Sequence, residues 1–293
     1  MKPAAFEYCA PRALDEALDL LARHGAEAKV LAGGQSLVPL MNMRLARPAL
    51  VVDVNRVPGL GEVRPVGDGG LALGALTRQR TLERSPLVRR RAPLLAEAAP
   101  LIGHQATRSR GTVGGSCAHA DPAAELPACS VALDARLHLA SARGRRTVRA
   151  ADFYVGLLTT ALRPDELLVE IEVPAPPLPR TGTAFAELAR RHGDFALVGV
   201  AAVVALDGGG VCRDARLVFL GVGNVPHRAG AVAELLGLGA EPRRLEAIGR
   251  AAAEELDPPA DLHASAAYRR RIAAHLAVRA LGLAWDRAAW VPT

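Results

Sequence analysis

Ala28 to Ala32 reads as a short buried strand, and it runs without a spacer into Gly33 and Gly34. An apolar strand that ends on paired glycines has few continuations, because the missing side chains permit a tight turn and close backbone approach. Such a turn aims successive N–H groups into a concave nest, which offers partial positive charge to an anion without ordering long cationic side chains. Ser36 adds a hydroxyl. A second turn of the same kind stands at Thr112-Val113-Gly114-Gly115-Ser116, after a helical-looking segment and again ending in a hydroxyl. Two nests suit two linked phosphates, so the pyrophosphate of a dinucleotide is the expected ligand. Neither loop has the Gly-x-Gly-x-x-Gly spacing of a Rossmann turn, and no Gly-Lys-Ser/Thr follows either, which removes the P-loop reading. For each loop taken singly, a strand-to-helix turn without a ligand stays open.

The surroundings of the first loop form a β–loop–α–β unit. Phe6 to Cys9 reads as a strand, and Pro11 opens a helix with Leu14, Leu18 and Leu21 on one face and Gly25 as its stop. Leu37 to Leu45 continues from the loop as a helical or irregular apolar segment, and Leu50 to Val54 is a buried strand. At 293 residues the chain suits two domains or one elaborated domain. From Val57 the texture turns to Pro, Gly and polar residues, which suggests a sub-domain boundary. Leu71 to Leu76 reads as a strand, Thr77 as a helix cap, and Arg84 to Gly103 as a helix broken near Pro93 and Pro100.

Thr107 to Pro127 gathers polar groups in an otherwise apolar chain. Thr112, Ser116, His119 and Asp121 suit ribose hydroxyls or phosphate oxygens, and Glu125 suits bonds from loop N–H groups; a polar surface loop is the plain alternative. A metal site built from His104, His119, Asp121 and Glu125 matches no common zinc or iron spacing. Val131 to Leu139 and Thr147 to Arg149 suggest a hairpin, Asp152 precedes an apolar helical patch, and Leu167 to Val173 reads as a half-exposed strand. Pro174, Pro176, Pro177 and Pro179 then mark the main boundary. Beyond it, Thr183 to Leu188, Val198 to Leu206 and Ala215 to Val222 pair as strands, and helices follow from about Pro242 to Leu256 and His263 to Leu281. Phe195 sits beside polar residues in a turn, where it can serve a flat ring as a plate or anchor the loop.

The four cysteines, Cys9, Cys117, Cys129 and Cys212, have neither Cys-x-x-Cys nor ferredoxin-like spacing, which argues against an iron–sulfur cluster or structural zinc in this chain and for small buried hydrophobes. Net charge is +6, carried almost wholly by Arg, with runs at Arg89 to Arg91, Arg143 to Arg149 and Arg269 to Arg271. These fall on no recognisable nucleic-acid module and are not interleaved with stacking aromatics, so solvated faces or subunit contacts are expected and no nucleic-acid partner. No apolar run approaches the roughly 20 residues that span a bilayer. The N-terminal residues lack a signal-peptide pattern, so a cytoplasmic protein without a transmembrane segment is expected.

With both loops and the later turn in view, the chain resembles the FAD-binding medium subunit of the molybdenum hydroxylases, the group that includes aerobic carbon monoxide dehydrogenase and xanthine dehydrogenase. The resemblance spans nearly the whole length. It rests on Ala32 to Leu37, on Thr112 to Ser116 with Ala118 to Pro122, on Arg190 to Ala196, and on Asp261 to Ser265 with Tyr268 to Arg270. It implies an α+β fold of two α/β FAD-binding sub-domains of the PCMH type, residues 1–57 and 58–175, then a C-terminal domain of small antiparallel sheet plus helices, residues 176–293. By the same resemblance FAD, held non-covalently, would be lined by Leu31, Ala32, Gly33, Gly34, Gln35, Ser36, Leu37 and Val38 and by Thr112, Val113, Gly114, Gly115 and Ser116. His119 and Glu125 would stand near it, with Glu125 where Asp is usual, and Phe195 would lie near the isoalloxazine ring.

Such a subunit is an oxidoreductase component, a flavoprotein that does no substrate chemistry itself and carries no catalytic or metal-binding residue. An iron–sulfur small subunit would deliver electrons from [2Fe-2S] clusters, a large subunit would hold molybdenum–pterin, and the heterotrimer would pair into a heterohexamer. A self-contained flavin-dependent oxidoreductase of the same fold, or a basic interaction protein without enzymatic activity, are the competing readings.

Overall fold

Three main sheets follow one another along the chain, with a small two-stranded hairpin besides, and the glycine loops fall where the first two meet. The computed structural model describes residues 2–239 and 241–290; Met1, Ala240 and residues 291–293, and with them the two ends of the expected domain division, lie outside the described residues. The first sheet combines β1 (Glu7–Cys9), β2 (Ala28–Leu31) and β3 (Leu50–Asp53), all parallel, in the order β1-β3-β2. Parallel neighbours require crossovers. These are supplied by α1 (Leu14–His24) and α2 (Leu37–Asn42). Ala17, Leu18 and Leu21 of α1 pack on the sheet, while Asp15 and Glu16 at its start and Arg23 and His24 at its end complement the helix dipole. The helix begins at Leu14, after an extended Ala13, rather than at Pro11.

The second sheet is antiparallel, with the order β4-β5-β10-β6-β7. Its first two strands, β4 (Val63–Val66) and β5 (Gly70–Gly74), form a hairpin. Pro65 therefore lies inside a strand and not in a linker, which its edge position allows. Six helices follow: α3 (Gln79–Arg84), α4 (Pro86–Arg91), α5 (Pro93–Ala98), α6 (Gln105–Arg110), α7 (Val113–His119) and α8 (Glu125–Ala132). All residues of α8 are buried, so it shows no polar face and its end is read from sequence as a strand arm. The hairpin β6 (Arg136–Ser141) and β7 (Gly144–Arg149) leads through α9 (Ala150–Phe153) to a short hairpin of β8 (Tyr154–Gly156) and β9 (Thr159–Thr160), where an apolar helix is expected; β10 (Leu167–Val173) then enters the middle of the sheet.

After the proline-rich stretch come β11 (Arg180–Ala189), β12 (Ala196–Leu206), β13 (Cys212–Leu220) and β14 (His227–Arg228), antiparallel in that order. β12 is buried along its whole length because both faces of the sheet are covered. On one face Ala184, Val200 and Val204 pack against α10 (Pro242–Glu254) and α11 (Ala266–Ala289). On the other, Phe185, Ala201, Val203 and Leu220 join the core around α8 and β5. The third sheet thus shares one hydrophobic core with the second.

Arg269 departs from the expected solvated arginine face. It is buried at the start of α11, where its guanidinium donates to the carbonyls of Leu197 and Gly221 and pairs with Asp261. Ser265 caps that helix by accepting from the Tyr268 N–H.

Candidate functional site

The first glycine loop leaves the C-terminal end of β2, the end at which parallel strands present ligand-binding crevices. Gly34 has φ +71°, a left-handed conformation that favours glycine. The loop bends back on itself: Gln35 donates to the Gly33 carbonyl and Val38 N–H to the Gly34 carbonyl. Among the described residues, the N–H groups of Gly33, Gly34, Gln35 and Ser36 donate to no protein acceptor. Gly33, Gly34 and Gln35 border an open cavity of about 330 Å³ that also takes in Leu31, Ala32, Val38, Asp53, Asn55 and Arg110. Backbone donors are obligatory hydrogen-bonding groups, so a cluster of free ones at a cavity is a site for acceptor oxygens.

The second loop differs in kind. Thr112 caps α7 by accepting from Gly115 N–H, and the N–H groups of Val113, Gly114 and Ser116 go to the carbonyls of Thr77, Ala75 and Thr112. It is a capped helix start whose donors are taken, not a second free nest. Its glycines serve close approach: a Cβ on Gly114 would stand 2.7 Å from Ala75 Cα, and one on Gly115 2.6 Å from Thr112 Oγ1. The two loops meet directly, since a Cβ on Gly33 would lie 2.8 Å from Gly111 Cα and inside contact with the Arg110 carbonyl, and one on Gly115 would reach Ala32 Cβ at 3.8 Å.

A polar clamp holds this junction. Asn55 donates to the Ala32 carbonyl at 2.7 Å and to Asp53, whose other carboxylate oxygen accepts from the Tyr8 hydroxyl at 2.6 Å. Arg78 donates to the Asn55 side-chain oxygen at 2.8 Å and to the Arg110 carbonyl, joining β3 to the end of α6. Burial works against the charge on Asp53, yet the bonds from Tyr8 and Asn55 bring its carboxyl below the usual range. Burial and then Arg110 pull the Arg78 guanidinium down. Sequence reading passed over Asn55, Arg78 and Arg110, and took Asp53 for strand. Polar residues directly after the apolar run of β3, beside the glycine strand in a parallel sheet, are the signal that points to Asp53 and Asn55.

The remaining expected residues disperse from the first loop. Ser36 and Leu37 open α2. His119 ends α7 before a left-handed Ala120, and Asp121 closes a turn by accepting from Ala123 N–H. Glu125 is buried in the first turn of α8 and accepts no N–H from the loop beyond its own backbone, unlike the expectation. Burial first, then Asp121, push its carboxyl up to about 7. Phe195 stands 73% exposed in the turn between β11 and β12. That turn is braced on both sides, by Arg190 against His263 and by Gly193 (φ +88°), which packs so closely on the His104 ring that a Cβ would lie 2.6 Å from Nδ1. Among the described residues no group of three or more His, Cys, Asp or Glu side chains is placed to hold a metal ion.

A parallel sheet with a donor-rich glycine loop at its strand ends, met by the capped start of α7 from the adjoining unit, is the arrangement in which mixed helix-and-sheet proteins bind phosphate-bearing ligands. Residues 4–176 match the family model described as the FAD-binding domain in molybdopterin dehydrogenase, and residues 183–284 match the carbon monoxide dehydrogenase flavoprotein C-terminal domain. The chain therefore belongs to the FAD-binding subunits of the molybdenum hydroxylases, and is an oxidoreductase component. It is 43% identical to the 6-hydroxypseudooxynicotine dehydrogenase complex subunit alpha of Paenarthrobacter nicotinovorans, covering 98% of this chain and 97% of that one. It is 40% identical to the carbon monoxide dehydrogenase medium chain of Hydrogenophaga pseudoflava, covering 99% and 100%. A solved structure of the Hydrogenophaga pseudoflava carbon monoxide dehydrogenase that lacks the Mo-pyranopterin moiety contains a chain that superposes with a TM-score of 0.94 at 41% identity, covering 98% of this chain and 99% of that one. Among the described residues no helix is long and apolar enough to cross a membrane.

Proposed function

We propose that this chain is the electron-transfer subunit of a molybdenum hydroxylase, which takes electrons from the [2Fe-2S] clusters of a partner subunit and passes them to a terminal acceptor through bound FAD. The observation that carries the reading is the run of free N–H groups from Gly33 to Ser36, the first three of whose residues line the cavity beside β2 and β3. A pyrophosphate satisfies such donors, and the residues present fit it: Arg110 lines the same cavity, and the one carboxylate there, Asp53, is engaged by bonds from Tyr8 and Asn55. When bound, FAD supplies the redox chemistry, exchanging electrons singly or in pairs. The chain's own residues bind and orient it.

Leu31 to Val38 hold the diphosphate end. Thr112 to Ser116 close the site from the second sheet as a rigid capped helix start, and His119, Asp121 and Glu125 stand toward the rest of the cofactor. Phe195 supplies an aromatic face whose exposure ends once a flat ring covers it. The units at 1–57, 58–175 and 176–293 are the proposed domains, and a cytoplasmic iron–sulfur small subunit and molybdenum-binding large subunit complete a heterotrimer that pairs into a heterohexamer. The subunit labels of the relatives, a medium chain and a complex subunit alpha, support assembly with other chains.

The visible absorption spectrum of the purified chain, before and after supply of FAD and removal of the excess, tests the proposal. Retained FAD that is weakened by Gly34→Val and Gly115→Val is expected. No retention even when the chain is co-expressed with small and large subunits would overturn it.

A further inference from the structure

The cavity beside β2 and β3 sets one charged acceptor among donors. Gly33, Gly34 and Gln35 present free backbone N–H groups there and Arg110 a guanidinium, whereas Asp53 is the one carboxylate among its lining residues. The carbonyls of Ala32 and Gly33 are already engaged, by the side chains of Asn55 and Gln35, and the side-chain oxygen of Asn55 accepts from Arg78. A pyrophosphate satisfies the donors but brings Asp53 no hydrogen to accept.

Strand pairing puts the two kinds of group side by side. Asp53 ends β3 opposite Leu31, the last residue of β2, and Gly33 follows two residues later. Two residues span at most about 7 Å, so a phosphate held by the loop has its ester-linked sugar within reach of the carboxylate.

The carboxylate itself is oriented and charged, and it has room for one more bond. Its Oδ1 accepts from the Asn55 N–H at 2.9 Å and from Asn55 Nδ2 at 2.6 Å, and its Oδ2 accepts from the Tyr8 hydroxyl at 2.6 Å. A carboxylate offers about four acceptor positions, so these bonds leave one open, on Oδ2. The bonds outweigh the effect of burial and keep the group ionised. Its charged surroundings are cationic: Arg56 acts on it, Arg78 reaches its partner Asn55, and Arg110 lines the same cavity.

We propose that Asp53 is a specificity-determining residue of the cofactor site, whose open Oδ2 position accepts a hydroxyl of the sugar that adjoins the bound pyrophosphate. The proposal rests on the FAD reading above. FAD offers the ribose of its adenosine half and the ribityl chain of its flavin half, and either places O–H donors next to a phosphate, the complement of an acceptor next to a donor loop. A sugar that carries a further phosphate in place of that hydroxyl meets like charge and is rejected. Tyr8 is a positioning residue that acts through the carboxylate.

The full chain is tested with FAD, with FAD whose adenosine half is 2′,3′-dideoxy, and with FAD whose ribityl hydroxyls are replaced by hydrogen. Flavin fluorescence gives the dissociation constants. In wild type the analogue that lacks the partner hydroxyl should bind about 10- to 100-fold more weakly than FAD, the worth of a hydrogen bond to a charged group. In Asp53→Ala FAD itself should weaken, and the penalty for that analogue should shrink to within about threefold. The penalty for the other analogue should stay as in wild type, so the pair of analogues identifies the sugar.

Full affinity of wild type for both analogues, or penalties as large in Asp53→Ala as in wild type, would overturn the proposal, while retained FAD leaves the cofactor reading intact. No binding of FAD by wild type, alone or with its partner subunits, strikes the cofactor reading and the proposal with it. Circular dichroism checks the fold of Asp53→Ala. If that variant is unfolded, the carbon-13 resonance of the Asp53 carboxyl in wild type decides: it should move on addition of FAD and hold still with the analogue that lacks the partner hydroxyl. Equal movement with FAD and both analogues would overturn the proposal.

Discussion

Gly33→Ala tests whether the contact between the two loops is what shapes the cofactor site. The added Cβ would stand 2.8 Å from Gly111 Cα and 3.0 Å from the Arg110 carbonyl carbon, and closer still to the carbonyl oxygen. Comfortable carbon–carbon separations begin near 3.5 Å, so the loops must part by roughly half an ångström or more. Every obstructing atom is backbone, and no rotamer change relieves it. Overpacking of this kind costs about 1–3 kcal/mol.

The strand β2 and the clamp through Asn55 resist the shift on one side, and the capped end of α7 resists it on the other. The displacement therefore falls on the turn itself and moves its N–H groups out of register. At about 1.4 kcal/mol per tenfold, FAD affinity should fall by roughly 10- to 100-fold. Gly61→Ala is the matched control, because a Cβ there meets nothing within 4 Å. Fluorescence titration of FAD, with thermal unfolding of the cofactor-free proteins, separates affinity from stability. FAD binding by Gly33→Ala within about twofold of wild type would refute the reasoning.

Asn55→Ala should also weaken FAD, since it frees the Ala32 carbonyl and one Arg78 bond; both bonds are exposed, so each loss is worth about 0.5–1.5 kcal/mol, and isothermal calorimetry of FAD binding checks this. Phe195→Ala should leave the melting temperature of the cofactor-free chain nearly unchanged, because the ring is 73% exposed, yet alter the visible spectrum of bound FAD. Glu125 gives a pH signature. Its carboxyl is raised from 4.5 to about 7 in the folded chain, so the folded state holds a proton that the unfolded state has released between those values. Stability is then fullest below pH 4.5 and falls as pH rises through 7, by about 3 kcal/mol from this group; chemical denaturation of Glu125→Gln against pH should show that much of the decline removed. Arg269→Met should lower stability by roughly 2–5 kcal/mol in thermal unfolding, because two buried carbonyls lose their donor and Asp261 its partner.

The elements that bury one face announced themselves in the sequence. The leucine spacing of α1, the apolar run of β3 and the strands β11 to β13 all follow from a single period, and the cluster from Pro174 to Pro179 could form none of these. A helix buried all round did not: α8 has no polar face, so its final residues are indistinguishable from a strand arm, whereas the equally buried β12 is marked as a strand by its β-branched valines. The hairpin from Tyr154 to Thr160 was read as a helical patch because Val155, Leu157 and Leu158 are exposed, which inverts the usual sense of an apolar residue. At the site, local chemistry was legible and long-range chemistry was not. Paired glycines mark Gly33 and Gly114, whereas the clamp of Asn55 and Arg78 exists only once β3 and the end of α6 are brought together. The second loop shows the limit of motif likeness: two Gly-Gly turns of similar sequence differ in whether their N–H groups are free, and hydrogen-bond partners from Ala75 and Thr77 decide it.

The central claim is that the free donors of the first loop grip the FAD pyrophosphate. Amide nuclear magnetic resonance of the labelled chain, recorded as FAD is added, tests it most directly. The account predicts large downfield shifts and slowed hydrogen exchange at Gly33, Gly34, Gln35 and Ser36, with smaller changes at Val113 to Ser116, whose donors are already engaged. FAD that binds while the amides of Gly33 to Ser36 keep their shifts and exchange rates would contradict it.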